Sequence, residues 1–190
     1  MRPLLPLLLL MCLFTALGCN NRSDDDITMF EEEFGEGELT ARIDGRAFSG
    51  RVAWAEREEN IDGLGLSTLV IVGGDVWGEE DGEAIGIVFF VDRTELPASG
   101  SFSMEGECLT KDVPCLEAAY GFSDRDGDID AAFVSDEDTP GSMVNLTYEI
   151  YDRVEGPAIR GSFDMVLVSD DDPSILMEIT DGKFDVYFDE

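Results

Sequence analysis

The chain contains no histidine, which removes the commonest general base and the commonest metal ligand from its chemistry. Basic residues are scarce: Lys and Arg together number 12 against 43 Asp and Glu, a formal net charge of −31. So acidic a chain repels nucleic acid and anionic lipid headgroups, and neither is an expected partner. Cysteine is limited to four residues, Cys12, Cys19, Cys108 and Cys115. Without histidine these make a zinc site an unfavoured reading. There is no Gly-x-Ser-x-Gly elbow and no phosphate-cradling glycine loop ending in lysine. The apolar run from Leu4 to Leu17 is shorter than the roughly 20 residues a spanning helix needs.

That run has a different meaning. A short basic start with Arg2, an apolar stretch and the sequence Ala16-Leu17-Gly18-Cys19 have the form of a secretory signal. The segment resembles a bacterial lipoprotein signal, in which the cysteine becomes the lipidated first residue. It departs from that pattern in order, since Leu is preferred three residues before the cysteine and Ala or Ser two before. Ala16 and Gly18 also suit ordinary signal peptidase, which leaves a soluble exported form as the alternative. Cysteine arithmetic favours lipidation: cleavage removes Cys12, and lipidation of Cys19 leaves Cys108 and Cys115 as one pair. A diacylglyceryl anchor gains about 0.8 kcal/mol per buried methylene and holds stably. Asn20, where an inner-membrane protein tends to carry Asp, reads as an outer-membrane address. Ser23-Asp24-Asp25-Asp26 reads equally as a surface-export signal or as a solvated tether.

Residues 1–18 are thus expected to be the signal, 19–37 a lipidated acidic tether and 38–190 a single domain. From Glu38 onward, short β-type runs alternate with turn clusters. Leu39–Ile43 and Arg46–Phe48 flank Asp44-Gly45, a hairpin signature. Further runs are Leu64–Val72 entering Gly73-Gly74, Ala84–Val91, Ser101–Met104, Ala118–Phe122, Ala131–Ser135, Val144–Tyr151, Ile159–Val168 and Ile175–Ile179. Thr180-Asp181-Gly182-Lys183 reads as a last turn before the alternating strand Phe184–Phe188. About nine or ten strands at this spacing predict an all-β antiparallel sandwich or partly open barrel.

Three segments carry a family resemblance: Leu39-Thr40-Ala41-Arg42-Ile43-Asp44-Gly45-Arg46, Leu96-Pro97-Ala98-Ser99-Gly100-Ser101-Phe102, and the closing Ile159-Arg160-Gly161-Ser162-Phe163 with Ile179-Thr180-Asp181-Gly182-Lys183-Phe184-Asp185-Val186. They resemble an uncharacterised family of bacterial lipoprotein domains. The resemblance spans nearly the whole domain and implies a small all-β surface lipoprotein, with no reaction attached.

Several groups are candidates for chemistry. Cys108 and Cys115 enclose six residues and, in an oxidising compartment, read as a structural disulfide worth roughly 2–3 kcal/mol at most. Asp124, Asp126, Asp128 and Asp130 are spaced like the start of an EF-hand-type calcium loop, where alternate carboxylates converge on one cation. Ile129 stands where that loop needs glycine and Ser135 where it needs a closing Glu, so an acidic hairpin loop is the competing reading. Glu79–Glu83 and Ser169–Pro173 read as solvated turns. Trp54 and Trp77 read as packing residues, with sugar stacking as the sharper alternative.

These features favour a non-catalytic envelope lipoprotein with a structural or binding role, its protein or glycan partner unspecified. A calcium-assisted adhesion module and a carboxylate-dependent hydrolase are the alternatives; the latter is defined by a carboxyl separation in space. Acid excess with arginine favoured over lysine also suits concentrated salt, where counterions screen self-repulsion. The thermal midpoint is therefore expected to rise with sodium chloride concentration. Melts across a salt series check this, and a midpoint indifferent to salt contradicts it.

Overall fold

Period-two alternation of apolar and polar side chains gives many of these β-type runs one buried and one wet face, whereas Ala84–Phe89 is buried on both. A computed structural model describes residues 37–63, 65–75, 82–103, 115–123, 129–135 and 139–188. The strands are β1 Glu38–Ile43, β2 Arg46–Gly50, β3 Val52–Glu58, β4 Ser67–Asp75, β5 Gly82–Val91, β6 Ser99–Ser103, β7 Cys115–Ser123, β8 Ile129–Val134, β9 Met143–Arg153, β10 Gly156–Ser169 and β11 Leu176–Tyr187. Among the described residues the only helical element is a single 3-10 turn, Ile61–Gly63. The class is all-β, as the sequence predicts.

Nine strands form a nearly closed antiparallel sheet in the order β2-β1-β11-β10-β8-β7-β5-β4-β3. The two ends of this path are covalently continuous, since only Arg51 separates β2 from β3. One bent segment thus pairs with β1 in its first half and with β4 in its second. A seam remains between β3 and β11, crossed by a parallel bridge from Ala55 to Phe188. Gly37 sits there, against Ala53 of β3 and Val186 of β11, where a Cβ has no room. The long β10 pairs with β8 only at Val168 and Ser169. Along the rest of that edge it pairs with β9, which carries β6 on its far side.

Inside, Leu39, Ile71, Ile87, Phe89, Leu146, Ile159, Phe163 and Val186 are buried in one continuous core. Each such side chain contributes about 1.5–3 kcal/mol when fully buried. Phe89, Phe102 and Tyr148 form an aromatic group, with Phe89 and Phe102 centroids 4.3 Å apart, and so tie β6 and β9 to β5. Among the described residues Ser67 is the one fully buried polar side chain. Its hydroxyl donates to the Arg93 carbonyl at 2.8 Å and accepts from the Asn60 amide at 3.1 Å.

The structure corrects the sequence reading at three places. Val52–Glu58 is a strand that the sequence reading leaves unassigned. Gly73-Gly74 is strand rather than turn, because the Leu39 side chain occupies the space over Gly73 and Gly50 abuts Gly74. Thr180–Lys183 is likewise no turn, since β11 runs unbroken from Leu176 to Tyr187. An extra residue there makes a bulge against both neighbours, β1 and β10. Asp181 takes the left-handed conformation at φ 53°, and its amide donates to Asp164 Oδ1 at 3.1 Å. The Asp44-Gly45 turn agrees with expectation, both residues having positive φ (48° and 80°), as a two-residue hairpin demands.

Next to the bulge lies a reciprocal interlock. Gly161 of β10 faces Phe184 of β11, and Phe163 of β10 faces Gly182 of β11. Each ring lies over the opposite glycine, so a Cβ added at Gly161 or Gly182 meets a phenylalanine ring atom at 2.5 Å. Gly161→Ala is therefore expected to destabilise by about 1–3 kcal/mol through overpacking, and Phe163→Ala by about 3–5 kcal/mol. Ser162→Ala, between them on the wet face, is expected to stay within about 0.5 kcal/mol. Urea unfolding of the three variants checks the order, and equal losses at positions 161 and 162 contradict it.

Candidate functional site

The residues that alternate with the interlock point outward and build a trough. Its volume is about 810 Å³, and it crosses β6, β9, β10, β11 and β1. Strand pairing places Ser101, Thr147, Ser162, Lys183 and Thr40 in one row across the five strands. A second row, two residues along, holds Ser99, Glu149, Arg160, Asp185 and Glu38. At a strand spacing of about 4.8 Å the rows span about 19 Å. The first row is mostly short hydroxyl side chains and forms the floor; Ser101 Oγ and Thr147 Oγ1 share a hydrogen bond of 2.9 Å. Lys183 rises from this row between Ser162 and Thr40, and has no ion pair among the described residues.

The charged row is internally paired. Arg160 Nε donates to Glu149 Oε1 at 2.5 Å, and its Nη2 reaches the same oxygen. Beyond Arg160 lies an aromatic wall. The Arg160 guanidinium stands 4.9 Å from the Tyr151 ring centre, and that of Arg153 stands 4.8 Å from the Tyr187 ring centre. The Tyr151 hydroxyl donates to Asp185 Oδ1 at 2.5 Å, and Arg153 Nη2 pairs with the same oxygen at 2.5 Å. Hydrogen bonding to the Tyr187 side chain, together with Tyr151 and Asp185, raises the Arg153 pKa and holds its charge. On the other side of the floor, Arg42 pairs with the bulge residue Asp181 at 3.4 Å.

Beneath the trough, Tyr148 donates from its hydroxyl to the Pro97 carbonyl at 3.1 Å. Burial pushes its pKa up to about 12. Tyr120, on the far side of the core, is likewise raised to about 12 by burial and by the charge of Glu83.

The positions singled out from sequence fall elsewhere. Cys19, Cys108, Trp77, Asp124, Asp126 and Asp128 lie outside the described residues. Asp130 lies in β8 and Cys115 is buried at the start of β7. Among the described residues no three acidic or cysteine side chains converge as a metal site. Trp54 is half-buried on β3, outside the five strands of the trough. Asp172 belongs to a turn, as its spacing suggests: its carboxylate accepts from the Ser174 amide at 3.0 Å and hydroxyl at 2.7 Å, which lowers its pKa. Glu83 is the second residue of β5 and pairs with Arg46 at 2.8 Å.

The trough residues themselves carry no sequence motif. Alternation marks Thr147 and Ser162 as outward-facing and the sequence places Lys183 in a turn; only strand register brings all three into line with Ser101 and Thr40, far away in sequence. Comparison with family models, curated proteins and solved structures finds no match.

The buried tyrosines have a pH consequence. Their folded pKa values lie above the ordinary 10.0. Their contribution to stability is therefore complete below about pH 10 and is lost as pH rises through about 12. Tyr148→Phe is expected to reduce the loss of stability over that window. Ultraviolet tyrosinate titration with parallel melts checks this, and Tyr120 and Tyr148 ionising near pH 10 in the folded state contradicts it.

Proposed function

We propose that this chain is a non-catalytic binding domain of the bacterial envelope, anchored to the outer membrane through a lipidated Cys19. The trough is the surface it presents. The observation that carries the binding reading is the mutual pairing of the charged groups along it. Arg160 is engaged by Glu149, and Arg153 by Asp185 and Tyr151. A preorganised set of paired donors and acceptors suits holding a polar ligand, whereas acid–base catalysis needs a group poised to exchange a proton. The hydroxyl floor adds donors and acceptors for such a ligand, and the chain has no histidine, the commonest base for activating a hydroxyl.

The anchor reading rests on the signal-like run ending at Gly18 and on the cysteine count. The resemblance to an uncharacterised lipoprotein domain family supports the same placement. Under this proposal Cys108 and Cys115 form a structural disulfide in the oxidising compartment.

Expression of the full chain and of Cys19→Ser in a Gram-negative host tests the anchor. The parent is expected to incorporate labelled palmitate and to sediment with outer membranes, and the variant to do neither. A variant that remains membrane-bound contradicts the reading.

A further inference from the structure

We infer that the trough takes an extended, neutral polysaccharide chain, an assignment that rests on the binding reading above and specifies its ligand class. Four features of the trough lead to it.

The first is shape. The two rows cross five strands in register, a course of about 19 Å along the sheet rather than a closed pocket for a compact molecule. An extended polymer makes use of that length. The second is chemistry. The hydroxyls of Ser101, Thr147 and Ser162 each donate and accept, the same capacity that sugar hydroxyls carry. Beside them, the Arg160–Glu149 pair sets planar donors next to carboxylate acceptors, suited to adjacent hydroxyls on one ring.

The third is charge. Glu38, Glu149 and Asp185 outnumber Arg160 and Lys183 along the trough, and the chain as a whole carries −31. Both repel a polyanion such as a uronate polymer or a phosphate backbone. The fourth feature argues against a polypeptide. β9, β10, β11 and β1 are each paired on both edges, while the fifth strand, β6, pairs with β9 alone, so the backbone beneath four of the five strands is already in the ladder and strand addition is confined to the β6 end. A peptide bound by strand addition needs a free edge, with pockets for alternate side chains. Ser, Thr and Lys side chains dominate the floor, with Tyr148 and Phe184 lining it beneath them. Tyr151 also offers no bare stacking face, since Arg160 and Arg153 stand over its ring. Recognition is by hydrogen bonds along the row.

Co-sedimentation of the full chain, in mild detergent and about 0.15 M sodium chloride, tests the assignment. At this salt the charge of the trough is screened only beyond about 8 Å. Insoluble cellulose and chitin serve as neutral probes, and insoluble cross-linked carboxymethyl cellulose as an acidic probe with the same backbone as cellulose. The chain is expected to sediment with at least one neutral polymer and to stay in solution with the acidic one. Ser162→Phe, which fills the exposed floor, is expected to abolish co-sedimentation with an unchanged melting midpoint. Glu56→Gln, at an exposed position of β3 outside the trough, is expected to leave it unchanged.

Retention on neither neutral polymer overturns the assignment, as does stronger retention on the acidic one. Retention by Ser162→Phe equal to the parent's also overturns it. Should Ser162→Phe melt early, Thr147→Lys serves as the second floor variant under the same criterion. Failure here leaves the palmitate and fractionation result for Cys19 untouched, so the loss of this ligand class and the loss of the anchor are read separately.

Discussion

The reciprocal packing of Phe163 and Phe184 over Gly182 and Gly161 is the contact on which the rest of this domain depends. It joins the two longest strands, β10 and β11, from which the sheet extends in both directions. Two rings exchanged across two glycines fill the inner face at a point where two ordinary side chains would collide. The stacked rings lie 6.4 Å apart and leave β10 and β11 in one register. A one-residue slip would turn both rings to solvent and bring Ser162 and Lys183 into the core.

The outer face follows from that constraint. Because Gly161 and Phe184 point inward, Arg160, Ser162, Lys183 and Asp185 must point outward, and strand pairing carries their rows to β9, β6 and β1. The bulge at Asp181 bends β11 beside the interlock, as an extra strand residue does. Arg42 and Asp164 engage Asp181 from the two neighbouring strands. Packing inside and chemistry outside are thus two faces of the same residues. The proposed ligand surface has no separate scaffold.

Much of the fold was legible in the sequence. Alternation in Phe184–Phe188 and the Asp44-Gly45 pair each carry a local physical signal, and the structure agrees with both. The glycines were harder. Gly73-Gly74 and Asp181-Gly182 have the composition of turns, yet each lies inside a strand. What decides them is a partner far away in the chain: Leu39 over Gly73 and Phe163 over Gly182. Val52–Glu58 carries no clear strand signal in the sequence because its polar end, Glu56-Arg57-Glu58, breaks the alternation. Its pairing with β4 restores a strand that local pattern alone leaves ambiguous.

By itself the sequence determined the β class, the absence of histidine-based chemistry and the strong negative charge, because composition and period-two alternation act locally or over the whole chain. The row of Ser101, Thr147, Ser162, Lys183 and Thr40 was decided only by tertiary structure. Each is an ordinary polar residue on an ordinary strand, separated from most of the others by tens of positions. Register aligns them, and register is set by buried contacts between strands that no single stretch of sequence contains.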